Sequence, residues 1–216
     1  MPRPLEDNTP IAVTPELLRD WPLPRPDDAA RGGRGKDTRG AVLVAGGSIE
    51  VPGAIILAGV GALRAGAGKL QIATCREIAG AVAVAVPEAR ALGLAQTAGG
   101  DIDPSAAERL AEAIGGAAAA LIGPGMLDVP TAQALLRRLL PRVTDTALAL
   151  DAAALAAVSE DRRALHHLEG NAVLTPHLVE EAFRRALEKV RGEGLVRKAL
   201  EAGMSTVEAF ATYGIM

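Results

Sequence analysis

The chain has 216 residues, of which 49% are hydrophobic but only 2% aromatic, and its formal net charge is −3. This length allows one domain with a full core, which must be built from Ala, Val and Leu because aromatic residues are so scarce. The acidic balance, with no basic stripe, excludes nucleic-acid binding driven by neutralisation of phosphates.

The sequence shows no membrane span, no signal segment and no pair of cysteines, and these features bear on the compartment of the protein. No uncharged apolar run reaches the ~18 residues that a membrane span needs, and the first residues contain no apolar signal segment. Cys75 is the single cysteine, so it cannot form an internal disulfide. It is predicted to be an inert small residue rather than a nucleophile. We therefore expect a cytoplasmic protein without a membrane contact.

Residues 1–40 are rich in proline, glycine and charge and are predicted to form an N-terminal arm and loop. A short helix is expected to begin at Thr14-Pro15. Threonine is a frequent helix N-cap, and proline is favoured at the first helical position.

A strand–turn–helix–strand unit follows this arm and organises the domain. Its predicted elements are a buried strand over residues 41–45, a helix over 54–66 and a strand over 69–73. Gly46-Gly47 allows a sharp turn after the first strand, with Ser48 beside it. The spacing is not the G-x-G-x-x-G dinucleotide fingerprint, and by itself it also fits any doubly wound α/β domain with a glycine turn.

The alternation of strands and helices continues to residue 174. The remaining predicted elements are helices over 77–86, 104–114, 131–140 and 160–168, strands over 117–122, 146–150 and 172–174, and a loop over 93–103. About five strands alternating with helices predict a three-layer α/β/α domain over residues 41–178, with a doubly wound, mostly parallel sheet.

Four predicted strand ends carry unusual residues, and the carboxyl ends of parallel strands share one edge of the sheet. They are Gly46-Gly47-Ser48, Gly123-Pro124-Gly125, Asp151 and His177. Asp151 fits two interpretations, a ligand-facing carboxylate or the N-cap of the next helix. His177 fits a ligand contact or a loop histidine held by a backbone carbonyl. We predict that these residues lie along one shallow cleft.

The composition changes after residue 178. Residues 179–216 form a charged, helical tail with an apolar stripe at Phe183, Leu187 and Val190. This tail resembles the C-terminus of the aldolase-like family that includes regulators of ribonuclease activity. We predict that it covers an exposed edge of the sheet, in the same subunit or in a second copy, so that deleting it lowers the melting temperature.

Residues 14–180 resemble the ADP-dependent NAD(P)H-hydrate dehydratase family in both the order and the spacing of several motifs. These motifs are Thr14–Pro24, Gly46-Gly47-Ser48, Pro52-Gly53-Ala54, Ala62–Gly68, Val86–Ala89, Ile122–Gly125, Leu150-Asp151-Ala152 and Leu174–His177 with Glu180. The resemblance implies a ribokinase-like fold and a lyase that repairs hydrated NADH or NADPH. In that family ADP or ATP, with Mg, activates the hydroxyl of the hydrated nicotinamide by phosphorylation. By motif, Ala54, Gly125 and His177 would contact the hydrated dinucleotide, and no residue is assigned to a metal.

Three departures from the family pattern limit what the resemblance implies. Residues 151–155 read Asp-Ala-Ala-Ala-Leu where the family has D-A-[DG]-A-L, and residues 178–179 lack the Pro-Gly of T-P-H-P-G-E. The G-[TS]-G-D motif, whose amides stabilise the transferring phosphoryl group, occurs nowhere in the 216 residues. The sequence therefore predicts a homologue that lacks the C-terminal half of the fold and is inactive by itself. Two alternatives stay open: a remnant of a small-molecule kinase of this fold, and a non-enzymatic nucleotide-binding or assembly module that forms homo-oligomers.

Overall fold

The computed structural model of the protein describes residues 14–20, 39–161 and 163–176. Its helices are α1 (Pro15–Asp20), α2 (Pro52–Arg64), α3 (Arg76–Ala85), α4 (Ala107–Gly115), α5 (Val129–Leu139) and α6 (Leu155–Glu160). Its strands are β1 (Ala41–Ala45), β2 (Lys69–Cys75), β3 (Ala89–Leu94), β4 (Ala119–Ile122), β5 (Ala147–Leu150) and β6 (Ala172–Leu174). Short 3₁₀ turns lie at Pro104–Ala106, Leu140–Arg142, Ala152–Ala154 and His166–Leu168.

The six strands form one parallel sheet in the order β3-β2-β1-β4-β5-β6. Because side chains alternate between the two faces of a strand, β1 contributes to two separate cores. Val44 packs with α2 and α3 on one face, whereas Leu43 and Ala45 pack with α4, α5 and α6 on the other. Helices therefore cover both faces, and the three-layer α/β/α fold expected from the sequence is confirmed.

Small apolar residues make this close layering feasible. In α2 the only fully buried positions are Ile55 and Gly59, and a Cβ on Gly59 would lie 2.8 Å from Ile72 Cδ1. Helix α2 therefore sits closer to β2 than a larger residue would allow. No helix in residues 14–20, 39–161 and 163–176 is long and apolar enough to cross a membrane.

The N-terminal helix begins as the sequence predicts. Thr14 Oγ1 accepts a hydrogen bond from Leu17 N at 3.2 Å, and Pro15 is the first helical residue. The described residues other than Pro176 belong to a compact unit that spans residues 1–175. His177 and the predicted tail over 179–216 lie outside the described residues, as do residues 1–13 and 21–38.

Two predicted elements are wrong. The sequence predicts about five strands and a loop from residue 93, but β3 pairs with β2 along its whole length at the sheet edge. This strand is only half-buried and contains Gly93, where a Cβ would lie 3.2 Å from Arg76 Cα, so its pattern does not resemble a buried strand. The helix predicted over 160–168 is instead α6, followed by a 3₁₀ turn at His166–Leu168. The alanine-rich run after Asp151 has high helix propensity and starts the helix earlier.

Candidate functional site

The candidate site lies where the chain changes direction across the sheet. Strand β1 sits between β2 and β4, and the helices that follow β1 and β4 lie on opposite faces. In open α/β sheets this switch point leaves a crevice at the carboxyl ends of the two strands, which is the usual ligand position. Gly46-Gly47-Ser48 follows β1 and Gly123-Pro124-Gly125 follows β4, so both predicted glycine turns lie at this point.

Hydrogen bonds tie the two turns together. Gly47 N donates to Pro124 O at 2.7 Å, and Gly123 N donates to Ala45 O at 3.0 Å. Gly46 N donates to Ala73 O on β2 at 3.0 Å. These amides are already used within the protein, so they do not form a phosphate cradle of the kind seen at helix N-termini. The glycines instead allow two backbone segments to touch.

Two of the predicted substrate-binding residues, Gly125 and Ala54, contact each other. Gly125 adopts φ = 75°, and a Cβ at this position would lie 2.8 Å from Val51 O, 3.0 Å from Ala54 Cβ and 3.1 Å from Gly47 Cα. A side chain would therefore be strained by the left-handed backbone and would collide with the first turn of α2. Ala54 and Gly125, both half-buried, thus meet at the switch point and pack on buried Gly47.

The buried side chain of Ser48 stabilises the loop between β1 and α2. Its side chain is fully buried, and its Oγ accepts a hydrogen bond from Val51 N at 3.1 Å. Serine hydroxyls often hold a backbone amide three residues ahead in this way. The hydroxyl of this predicted ligand-edge residue therefore points into the protein and orients Val51.

Asp151 and Thr175 join the ends of β5 and β6. Thr175 Oγ1 donates to Asp151 Oδ1 at 2.8 Å and lies 3.2 Å from Leu150 O. The Asp151 side chain makes no capping bond to the turn that follows it, which decides against its interpretation as a helix cap. Ala152 adopts φ = 47°, an uncommon conformation for a residue other than glycine that is often found near functional sites. Asp151 thus fixes Thr175, which precedes the predicted site residue His177 by two positions.

The segment after β3, which the sequence analysis predicts only as a loop, also holds the two loops of the switch point in place. Asp101 is buried, and its Oδ1 accepts a hydrogen bond from Leu127 N at 2.9 Å. Gly100 O accepts from Ile49 N at 3.0 Å and from Cys75 Sγ at 3.1 Å. Two adjacent residues therefore hold both loops of the switch point. The only signal was a glycine pair before an aspartate in a segment predicted as loop.

The environment of Cys75 makes it chemically inert, as the sequence predicts. Burial, together with the negative charge of Asp101, raises the pKa of its thiol to about 11. The thiolate is the nucleophilic form of cysteine, so almost none is present near neutral pH. Cys75 acts here as a hydrogen-bond donor that stabilises Gly100.

Thr74, beside Cys75, has a hydroxyl that is buried without a hydrogen-bond partner in the described part of the chain. Because such an atom loses its hydration without compensation, Thr74→Val is expected to raise the free energy of unfolding by about 1 kcal/mol. Thr146→Val is the matched control, since buried Thr146 Oγ1 donates to Ile114 O at 3.0 Å. It is expected to lower the free energy by about 1 kcal/mol. Urea unfolding would measure the free energy of unfolding of both variants. An equal loss of stability in the two variants would contradict the interpretation of Thr74 as an unpaired hydroxyl.

Two features of the described residues bear on the nucleotide and metal that the sequence resemblance implies. These residues contain no group of three or more His, Cys, Asp or Glu side chains able to hold a metal ion. The amides of Gly46, Gly47 and Gly123 are bonded to backbone carbonyls, so these three amides are not free to bind a phosphate. No step of phosphoryl transfer is therefore assigned to the described residues.

Comparison with known proteins agrees with the geometry of the switch point. The profile of the NAD(P)H-hydrate dehydratase family matches residues 42–209. The chain belongs to this family. The match includes both glycine turns, Ala54 and Asp151, and it extends beyond residue 178 into the segment that the sequence analysis treats as a tail.

Two relatives show how much of the family protein this chain represents. It is 45% identical over 170 residues to the ADP-dependent (S)-NAD(P)H-hydrate dehydratase of Xanthomonas campestris pv. campestris, covering 79% of this chain and 54% of the relative. It is 36% identical over 142 residues to the enzyme of that name from Bacillus subtilis, covering 66% of this chain and 46% of the relative. The chain therefore spans about half the length of these relatives.

Two solved structures share the fold of this chain. A structure of the ADP/ATP-dependent NAD(P)H-hydrate dehydratase from Bacillus subtilis, co-crystallised with ATP/Mg²⁺, is 30% identical with a TM-score of 0.58. The match covers 86% of this chain and 61% of that one. A ribokinase-like superfamily protein from Enterococcus faecalis is 26% identical with a TM-score of 0.62, over 81% of this chain and 58% of its own. The ribokinase-like fold implied by the sequence resemblance is confirmed.

Proposed function

We propose that this chain is the dinucleotide-binding portion of an NAD(P)H-hydrate dehydratase and holds hydrated NADH or NADPH at the switch point of its sheet. The observation that carries this proposal is the contact of Gly125 with Ala54, because two small, half-buried residues that the family motifs single out meet at the switch point. Membership of the dehydratase family over residues 42–209 supports the choice of ligand.

Small residues at this contact suit close binding of a substrate. The three atoms nearest to a Cβ on Gly125 would be Val51 O, Ala54 Cβ and Gly47 Cα, so backbone and one methyl group make this contact. The hydroxyl of the hydrated nicotinamide and its carboxamide need hydrogen-bonding groups. His177 is proposed to supply one of them, and the bond between Asp151 and Thr175 is proposed to fix the chain that leads to it.

The adenine nucleotide and Mg belong to the reaction that the family resemblance implies, in which the nucleotide would supply the phosphoryl group that makes the hydroxyl a leaving group. We do not assign them to the described residues, which lack a fitting donor set. In this proposal the chain binds and orients the hydrated dinucleotide. The phosphoryl chemistry requires residues that the described part of the chain does not contain.

The proposal predicts that Gly125→Ala weakens the binding of hydrated NADH. The new methyl group would lie 3.0 Å from Ala54 Cβ and 2.8 Å from Val51 O, so it would occupy the proposed contact surface and displace α2. Loss of close contact at a shaped site typically weakens binding by about 10- to 100-fold. Isothermal titration calorimetry with the full chain would measure the dissociation constant.

Gly61→Ala is the matched control for this experiment. Gly61 lies in the same helix, α2, and a Cβ there would meet no atom within 4 Å. This variant is expected to bind hydrated NADH as the unmodified chain does. Thermal unfolding of both variants shows whether weaker binding comes from a change at the site or from an unfolded protein. Unchanged binding by a folded Gly125→Ala variant would refute the proposed position of the ligand.

A further inference from the structure

Helix α2 is apolar on the side that faces solvent as well as on the side that packs on the sheet. No polar or charged side chain precedes Arg64 in its sequence, PGAIILAGVGALR. Its buried positions are Ile55 and Gly59, whereas Leu57 is 74% exposed. Surface helices normally present charged and polar residues to water, and a helix that is apolar all round is normally buried. The exposed side of α2 therefore has the character of a contact surface.

Helix geometry places the exposed residues of α2 on one face. Residues four apart in a helix are neighbours on its surface. This spacing is found for Gly53, Leu57 and Gly61, and all three are exposed. A Cβ on Gly53 or Gly61 would meet no atom within 4 Å. These three residues form the outer face of α2, and Leu57 projects from its middle with open space over the glycine on either side.

Opposite charges lie at the two ends of the outer face. Glu50 precedes the first helical residue by two positions, and Arg64 is the last residue of the helix. Both are exposed, and Leu57 lies midway, seven residues from each. At a rise of about 1.5 Å per residue, roughly 20 Å separates the two charges, so they cannot pair within one chain. Neither forms an ion pair with another described residue.

This arrangement is complementary to itself. In a contact with two-fold symmetry the same surface of both copies takes part, and if residue i meets residue j, then j meets i. An axis beside Leu57 would bring the α2 helices of two copies together antiparallel, with Leu57 against its equivalent. Glu50 of each copy would then lie opposite Arg64 of the other copy. A parallel pair would instead oppose like charges, which is unfavourable.

We propose that the outer face of α2 binds a second copy of this chain, in an antiparallel pair of α2 helices centred on Leu57. The charges at the two ends favour a second copy over an unrelated apolar partner, because one chain supplies both members of each pair. This inference goes beyond the proposed function and does not depend on it.

The size of the outer face limits how tight the dimer is. A helix of 13 residues is about 20 Å long. One helix pair therefore buries less than the roughly 800 Å² per partner of a standard interface. We expect a weak dimer, with a dissociation constant of about 1–100 μM. Sedimentation velocity on the full chain, at concentrations on both sides of this range, measures that constant.

Leu57→Glu is expected to weaken dimerisation by at least about 30-fold, because it removes the apolar contact at the axis and opposes two carboxylates. Val129→Glu is the matched control, since Val129 is also an exposed apolar side chain but lies in α5, on the other face of the sheet. A carboxylate in the first turn of a helix is favourable. This control is expected to dimerise as the unmodified chain does, and circular dichroism checks that both variants are folded.

Charge reversal tests the register of the helix pair. Glu50→Arg and Arg64→Glu are each expected to weaken dimerisation by about 3- to 30-fold at low salt, because each replaces two attractive contacts by two repulsive ones. An equimolar mixture of these two variants is expected to dimerise with an affinity within about threefold of that of the unmodified chain. In the mixed dimer, the two arginines of one copy face the two glutamates of the other.

Three results would overturn the proposal. They are a chain that stays monomeric over the whole concentration range, a dimer that Leu57→Glu leaves intact, and a mixture of the charge variants that dimerises no better than either variant alone. None of these results decides whether the chain binds hydrated NADH, which calorimetry on Gly125→Ala and the unmodified chain measures separately.

Discussion

Gly123→Ala is expected to lower the free energy of unfolding by about 3–5 kcal/mol, more than a typical substitution. A Cβ at this position would lie only 1.8 Å from Asp151 O and 2.8 Å from Asp151 C, so backbone atoms and not a flexible side chain stand in the way. Gly123 also has φ = 125°, which alanine adopts only with strain. To fit the methyl group, the ends of β4 and β5 must separate.

Separation of these strand ends would disrupt two hydrogen bonds that define the sheet edge. Asp151 N donates to Ile122 O at 2.9 Å, and Gly123 N donates to Ala45 O at 3.0 Å. Urea unfolding followed by far-ultraviolet circular dichroism would measure the loss. Gly61→Ala is again the control and is expected to increase stability by up to about 1 kcal/mol, because alanine favours a helix interior over glycine. A loss below about 1 kcal/mol for Gly123→Ala would mean that the close approach of β4 and β5 is wrong.

The sequence predicts the switch point well because its features are local. An apolar run followed by Gly46-Gly47 predicts a buried strand that ends in a tight turn. The apolar run before Gly123-Pro124-Gly125 predicts a second strand and turn of the same kind. The meeting of Gly47 with Gly125 depends on strand order, which places β4 beside β1. A doubly wound fold implies this strand order, so the sequence alone predicts that the two glycine turns share one edge of the sheet.

The supporting residues could not be predicted in the same way. Asp101 contacts Leu127, 26 residues later, and Cys75 contacts Gly100, 25 residues later. No sequence period encodes contacts between two loops that happen to meet above a sheet. The edge strand β3 was missed for a related reason, since half-burial and Gly93 remove the apolar run by which a buried strand is recognised. Longer-range packing, rather than local propensity, decides these features.

The polypeptide of 216 residues is expected to show no dehydratase activity on its own. In the reaction that the sequence resemblance implies, the hydroxyl of the hydrated nicotinamide is phosphorylated, and elimination of phosphate then restores the reduced cofactor. Preorganised amides that stabilise the transferring group usually make the largest contribution to such a step, and loss of one donor costs about 10²- to 10³-fold in rate. The sequence contains no G-[TS]-G-D turn to provide them. Three of the glycine amides at the switch point, those of Gly46, Gly47 and Gly123, are bonded internally.

The assay mixes the purified chain with hydrated NADH, ADP or ATP, and Mg²⁺, and follows the return of reduced-nicotinamide absorbance. The Xanthomonas campestris relative, which is named an ADP-dependent (S)-NAD(P)H-hydrate dehydratase and of which this chain spans 54%, is the positive control. Recovery with this chain is expected at the spontaneous rate, even though calorimetry is expected to detect binding of hydrated NADH. Binding without turnover would show that this chain holds the substrate, as proposed for the contact of Ala54 with Gly125, and that it does not transfer a phosphoryl group. Recovery faster than the spontaneous rate, abolished by Gly125→Ala, would instead show that residues of this chain outside the recognised motifs stabilise the phosphoryl step.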